Sequence, residues 1–229
     1  MTEKTLTAAP VEPLVRLPLP CVPYYEKDGI TIYNADCRDV LPCVEFDMAF
    51  TDPPYGVGFS YSAYDDGNKI GFCQLISEVL NLVKASERPM AITTGINWMW
   101  SYPPADGVMC WFKPGSVRHS TMGTISEWEP VLIYGKLPGR SRFGSDVIRL
   151  PDCANHAKDA AAGHPCPKPV NLYRQLLARF DADVFCDPFM GSGTTLLAAK
   201  LDGKRAIGIE IEERYCEIAA NRLRQGVLW

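Results

Sequence analysis

The sequence predicts an α/β fold, a mostly parallel sheet covered by helices. Three observations carry that prediction. Short β-like apolar runs alternate with helical patterns along most of the chain. Near the C-terminus a strand pattern runs into a glycine turn and then into a helical pattern. The 229 residues show neither an internal repeat nor a compositional shift marking a second domain, and that length suffices to bury a full core.

In chain order, residues 1–23 carry five prolines, Pro10, Pro13, Pro18, Pro20 and Pro23. Prolines fix φ and remove N–H donors, so residues 1–28 read as an extended arm and 29–229 as the folded domain. Strands are expected at 30–33 and 46–50. A helix follows over 72–83, where Leu75, Ile76, Val79, Leu80 and Val83 repeat at helical spacing. Further strands are expected at 90–93, 108–112 and 131–134, and 138–163 reads as loop. Pro169 suits the first turn of a helix over 169–180, with Leu172, Leu176 and Leu177 as its apolar stripe. Strand 184–186, the turn 187–195, helix 196–201 and strand 205–210 complete the series.

Composition bounds the function only loosely. Charged residues make up 22% and hydrophobic ones 47%, and the net charge of −4 excludes a chain basic over its whole surface. Between Lys113 and Arg149, however, six basic residues (Lys113, Arg118, Lys136, Arg140, Arg142, Arg149) face three acids (Glu127, Glu129, Asp146), a local balance of +3. That stretch suits phosphates or a solvated surface. Nine scattered cysteines imply reduced thiols and a cytoplasmic protein. The metal-like spacing of Cys153, His156, His164 and Cys166 is not read as a metal site. No apolar run reaches membrane-spanning length, so no membrane partner is expected.

Two segments point to chemistry. Asp52-Pro53-Pro54-Tyr55 closes the apolar run 46–51. Its prolines hold φ near about −65° and leave the carbonyls of Asp52 and Pro53 to accept from a ligand. Asp52 adds a carboxylate acceptor, Tyr55 a stacking face, and Gly56 and Gly58 let the chain turn close by. Together they describe a pocket for an amino-bearing aromatic ring, although a Pro-rich turn after a buried strand has the same composition. The second segment is Asp187-Pro188-Phe189-Met190-Gly191-Ser192-Gly193-Thr194-Thr195, followed by strand 205–210 ending in Glu210, seventeen residues after Gly193. Glycines there admit a ligand to the backbone, and an acid at a neighbouring strand tip can hold ribose hydroxyls. No Gly-Lys-Ser/Thr follows, which argues against a triphosphate-binding loop. The missing third spaced glycine argues against NAD.

These segments resemble two motifs of the S-adenosylmethionine-dependent DNA amino-methyltransferases that act on adenine N6 or cytosine N4. Asp52-Pro53-Pro54-Tyr55 is similar to their catalytic motif and 187–195 to their cofactor motif. His164-Pro165-Cys166-Pro167-Lys168-Pro169 resembles the family segment beside the cofactor's methionine end, with Cys166 where the family usually has Thr. The order, catalytic motif before cofactor motif, resembles the circularly permuted beta group, and the likeness spans about residues 29–225. It implies a seven-stranded Rossmann-like sheet of order 3-2-1-4-5-7-6, with strands one to five at 184–186, 206–209, 30–33, 46–50 and 90–93. Segments 108–112 and 131–134 would form the six–seven hairpin.

The resemblance also implies roles. Asp52, Pro53, Pro54 and Tyr55 are the expected catalytic set. Asp36, Cys37, Lys168, Asp187, Pro188, Phe189, Gly191, Ser192, Gly193, Thr194 and Glu210 are the expected contacts to S-adenosylmethionine. The expected reaction is methylation of the exocyclic amine of a flipped base in DNA. Adenine is favoured because many cytosine-amine relatives carry Ser where Asp52 stands. Arg140 and Arg142, in a variable loop over about 136–163, are expected to contact DNA, and Phe59 and Tyr61 either extend the base pocket or pack. A homodimer and a companion restriction nuclease are compatible with the sequence. Cytosine-N4, RNA or protein-amide methylation and a non-catalytic binding module stay as alternatives.

Overall fold

The computed structural model describes residues 18–53, 69–116, 123–137, 145–151 and 168–225. Its strands are β1 (Tyr25–Lys27), β2 (Ile30–Asn34), β3 (Met48–Thr51), β4 (Met90–Thr93), β5 (Gly107–Phe112), β6 (Trp128–Tyr134), β7 (Val147–Arg149), β8 (Val184–Asp187) and β9 (Arg205–Glu210). Its helices are α1 (Cys37–Val40), α2 (Lys69–Ala85), α3 (Val170–Leu177), α4 (Thr194–Leu201) and α5 (Glu213–Arg224).

The strands form one sheet of order β1-β2-β9-β8-β3-β4-β6-β5-β7. Strands β2, β9, β8, β3 and β4 pair in parallel, and β6 runs antiparallel to both β4 and β5. This corrects the expected seven strands to nine among the described residues. The order anticipated for the inner seven lies between two short edge strands. One of these, β1, falls inside the expected arm and pairs antiparallel with β2. It is turned back by Asp28 and Gly29, both at positive φ (53° and 77°), the conformation a two-residue hairpin requires. The other, β7, lies in the expected loop and adds in parallel to β5, with Ile148 fully buried. Three residues are too few to show a period in sequence.

Side chains alternate across the sheet, which splits the core in two. Met48, Phe50, Phe185 and Ala206 pack with Leu172, Leu176, Leu196, Ala219 and Leu223 under α3, α4 and α5. Ala49, Val184, Cys186, Ile207 and Ile209 pack on the other face with Val40, Phe72, Ile76, Val79 and Val83 of α1 and α2. The helices thus supply the two outer layers that a parallel sheet needs. Pro169 caps α3 from just outside its first turn, one residue before the position expected. No described helix is long and apolar enough to cross a membrane.

One glycine positions the turn above the sheet. A Cβ on Gly208, in the middle of β9, would stand 2.7 Å from Leu196 Cδ2 and overlap Met190 Sδ. The bare backbone lets the loop from β8 to α4 settle onto β9. Gly208→Ala is expected to destabilise the protein by about 1–3 kcal/mol through overpacking. Denaturant unfolding measures this, and an unchanged midpoint would contradict it.

Candidate active site

The parallel pairing of β3 with β8 puts Met48 beside Phe185 and Ala49 beside Cys186, so the two strands end together. Thr51 closes β3 and Asp187 closes β8, and the buried Thr51 hydroxyl donates to Asp187 Oδ1 at 2.6 Å. Asp187 Oδ1 also accepts from the Phe189 N–H at 3.1 Å, starting the turn. Burial pushes the Asp187 carboxyl up to about 6, against the opposing pull of donors from Thr195, Thr51 and Phe189.

The turn is built by two left-handed glycines, Gly191 (φ 50°) and Gly193 (φ 78°). The second caps α4, and a Cβ there would come within 2.8 Å of Ala219 Cβ on α5. The Gly191 N–H donates to Glu210 Oε2 at 3.0 Å, and the Glu212 N–H donates to Glu210 Oε1 at 2.8 Å. Burial pushes Glu210 up to about 7, restrained by those two donors. Arg222 of α5, which sequence reasoning passed over, clamps the turn by donating to the Ser192 carbonyl (2.7 Å), Ser192 Oγ (3.0 Å) and Thr194 Oγ1 (3.4 Å). Asn34 joins the tips of β2 and β9 by donating to the carbonyls of Glu210 and Ile211. A partly exposed carboxylate on β9, the Phe189 side chain and the glycine turn therefore sit together. That donor set and shape fit a nucleoside linked to a small polar group.

Asp36 stands just past the tip of β2. It caps α1 by accepting from the Arg38 N–H, and its carboxylate holds the Arg38 guanidinium at 2.6 Å, while Arg38 also reaches Glu78 at 2.8 Å. The hydrogen bonds from Arg38 keep Asp36 below the usual carboxylate range. Cys37 is buried, which pushes its thiol up to about 12 and leaves it inert.

Asp52 follows β3 directly. Its Oδ1 accepts from Thr93 Oγ1 of β4 at 2.8 Å, and Lys168 Nζ donates to Oδ1 and Oδ2 at 3.0 Å each. Lys168, expected at the cofactor's methionine end, thus lies on the carboxylate of the catalytic motif. Burial pulls the Lys168 ammonium down, but the negative charges of Asp52 and Glu129 outweigh it and leave the group above its ordinary value. Pro53 is buried at the same tip. Pro54, Tyr55, Phe59, Tyr61, Arg140, Arg142, Cys153, His156, His164 and Cys166 lie outside the described residues. Among the described residues no group of three or more His, Cys, Asp or Glu is placed to hold a metal.

Comparison with known proteins bears on the family and the fold. A family model described as DNA methylase matches residues 94–221. The chain is 38% identical to the Escherichia coli (strain K12) protein YubD over 209 residues, covering 83% of this chain and 88% of that one. Among solved structures, the M1.HpyAVI–SAM complex superposes with a TM-score of 0.60 at 21% identity, covering 85% of this chain and 98% of that one. PvuII DNA methyltransferase, described as cytosine-N4-specific, superposes at 0.66 with 14% identity and 90% of each chain covered. Both likenesses extend the agreement in fold to nearly the whole chain.

The raised Glu210 carboxyl has a consequence for stability. Folded Glu210 keeps its proton up to about 7, whereas its ordinary value is 4.5. The folded state therefore binds more protons across that window, so stability is fully present below the lower value and declines as pH rises through the upper one. Glu210→Gln is expected to flatten that decline, by up to on the order of 3 kcal/mol. The Asp187 contribution, lost between 3.8 and about 6, is expected to remain. Thermal midpoints measured from pH 4 to pH 8 test this, and an unchanged profile in the variant would contradict it.

Proposed function

The chain belongs to the N6/N4 DNA methylase family, and on that premise we propose that it methylates the exocyclic amine of a flipped base in DNA, adenine N6, with S-adenosylmethionine as donor. The observation that carries this reading is the tie between Thr51 and Asp187. It holds the Asp52 carboxylate at the tip of β3 beside the glycine turn at the tip of β8.

An exocyclic amine is a weak nucleophile because its lone pair is conjugated with the ring. Asp52 and the Pro53 carbonyl act on that problem. By accepting the two amine hydrogens they favour a pyramidal nitrogen and aim its lone pair in one direction, which is orientation combined with electrostatics. Asp52 is prepared for this by Thr93 and Lys168, whose hydrogen bonds fix the plane of the carboxylate. Bound S-adenosylmethionine supplies an electrophilic methyl group. Gly191, Gly193, Phe189 and Glu210 would hold it, with Glu210 accepting from ribose hydroxyls and Arg222 keeping the turn rigid. Pulling a base from the duplex costs a few kcal/mol. Stacking on Tyr55, two residues beyond Pro53, offsets about 1–3 kcal/mol of that. The acid at position 52 supports adenine over cytosine, and Arg140 and Arg142 are proposed to meet the DNA backbone.

Asp52→Ala is expected to lower methyl transfer to duplex DNA by at least about 10²-fold while leaving cofactor affinity unchanged. Scintillation counting of transferred methyl groups and calorimetric titration of the cofactor measure the two effects separately. Normal turnover in the variant would contradict the role of Asp52, and transfer by the unmodified protein to RNA but not to duplex DNA would contradict the substrate.

A further inference from the structure

Behind Asp52 and Lys168 stand two further charges, Glu129 and Lys113, that the amine-methylation reading leaves unused. Lys113, just past β5, has its side chain 1% exposed and donates to Glu129 Oε1 of β6 at 2.7 Å. Its ammonium also lies over the Trp111 ring, 5.1 Å from the centroid. The other Glu129 oxygen, Oε2, is buried and makes no hydrogen bond, and it stands 3.7 Å from Lys168 Nζ. Lys168 in turn holds both oxygens of Asp52. The four charges alternate from Lys113 through Glu129 and Lys168 to Asp52.

This geometry sets a problem for any amine that comes to Asp52. A carboxylate offers about four lone-pair sites. Lys168 donates to both oxygens, so its ammonium lies across the carboxylate edge, and Thr93 adds a donor to Oδ1. An amine approaching along that edge competes with Lys168, and the displaced ammonium has to be received by another acceptor, because leaving it unpaired is strongly unfavourable. Glu129 Oε2 is a buried acceptor within reach. A shift of roughly an ångström would bring Lys168 Nζ from its present distance to a charge-assisted hydrogen bond. Lys113 leaves Oε2 available by holding the other oxygen, and the pairing of Trp111 with Glu129 across the hairpin fixes the distance.

We propose that Glu129 is a positioning residue that receives the Lys168 ammonium when the target amine takes an Asp52 oxygen. The proposal rests on the amine-acceptor role of Asp52. In the resting site Lys168 is paired with Asp52. With the base in place the ammonium moves toward Glu129, the carboxylate turns its freed lone pair to the amine, and total charge is unchanged. Glu129 touches neither base nor cofactor, so it acts only through Lys168.

The test is binding of two duplexes that differ by one amine. Once the modified base has been mapped, one duplex carries it and the other carries the same ring without its exocyclic amine, purine in place of adenine. Both are titrated in the presence of S-adenosylhomocysteine. The unmodified protein is expected to prefer the amine-bearing duplex. Glu129→Gln is expected to lose about tenfold in affinity for that duplex, equivalent to about 1.4 kcal/mol, and none for the amine-free one, with cofactor affinity unchanged. Glu129→Asp, which keeps the charge, is expected to recover part of the loss. The double variant Lys113→Met/Glu129→Gln removes both charges of the rear pair and guards against misfolding, and it is expected to show the same selective loss. Equal weakening of both duplexes, or of neither, overturns the proposal. Indifference of the unmodified protein to the amine overturns the role of Asp52 and this proposal with it.

Discussion

The hydrogen bond from Thr51 to Asp187 is the constraint on which the site depends. Two strands distant in sequence, β3 and β8, pair in parallel at the centre of the sheet, and their ends carry the two turns that do chemistry. Parallel pairing brings the same ends of the strands together, so an acid after one and a glycine turn after the other face a common crevice, where open α/β sheets bind ligands. Register alone leaves the tips free to splay. The buried hydroxyl–carboxylate contact closes them, and the Phe189 N–H on the same carboxylate passes that closure into the glycine turn. Thr93 repeats the device one strand over, bonding both to Asp52 Oδ1 and to the Thr51 carbonyl.

Charge is organised around the same tips. Asp52 and Asp187 end adjacent strands, and their repulsion is one cause of the raised value of Asp187. The cation Lys168 answers the nearer of the two, Asp52, and Glu129 and Lys113 extend the alternation into the β5–β6 hairpin. Buried ion pairs contribute little net stability, because desolvation offsets their attraction, but removing one member leaves a costly uncompensated charge. Such a line is better understood as fixing geometry than as holding the fold together. The fold itself rests on the two apolar layers under α3 to α5 and under α1 and α2.

Much of this was legible in sequence, and the exceptions have physical causes. Buried runs such as 90–93 and the 206–209 interior of β9 stand out because parallel-sheet interiors demand unbroken apolar or small residues. The Asp52 and glycine motifs stand out because proline and glycine have few other reasons to cluster at strand ends. Asp28-Gly29 is also a hairpin signal, and β1 was concealed because a three-residue edge strand carries no alternation. Arg222, Lys113 and Glu129 left no local mark, since each finds its partner only after α5 or the β5–β6 hairpin has packed. The threonines are an intermediate case. A hydroxyl residue closing an otherwise apolar run, as at Thr51 and Thr93, marks a strand tip whose polar group must find a partner. Asp36 shows the converse, for its place at the tip of β2 was readable while its engagement by Arg38 was not.

The account turns on an acid at a strand tip that orients an amine for methylation. Its most direct test is mass spectrometry of nucleosides from duplex DNA incubated with the purified protein and S-adenosylmethionine bearing a deuterated methyl group. The account predicts that the label appears on the N6 nitrogen of adenine. Label on cytosine N4 would contradict the assigned base, and label on a ring carbon, or no labelled nucleoside at all, would contradict amine methylation itself.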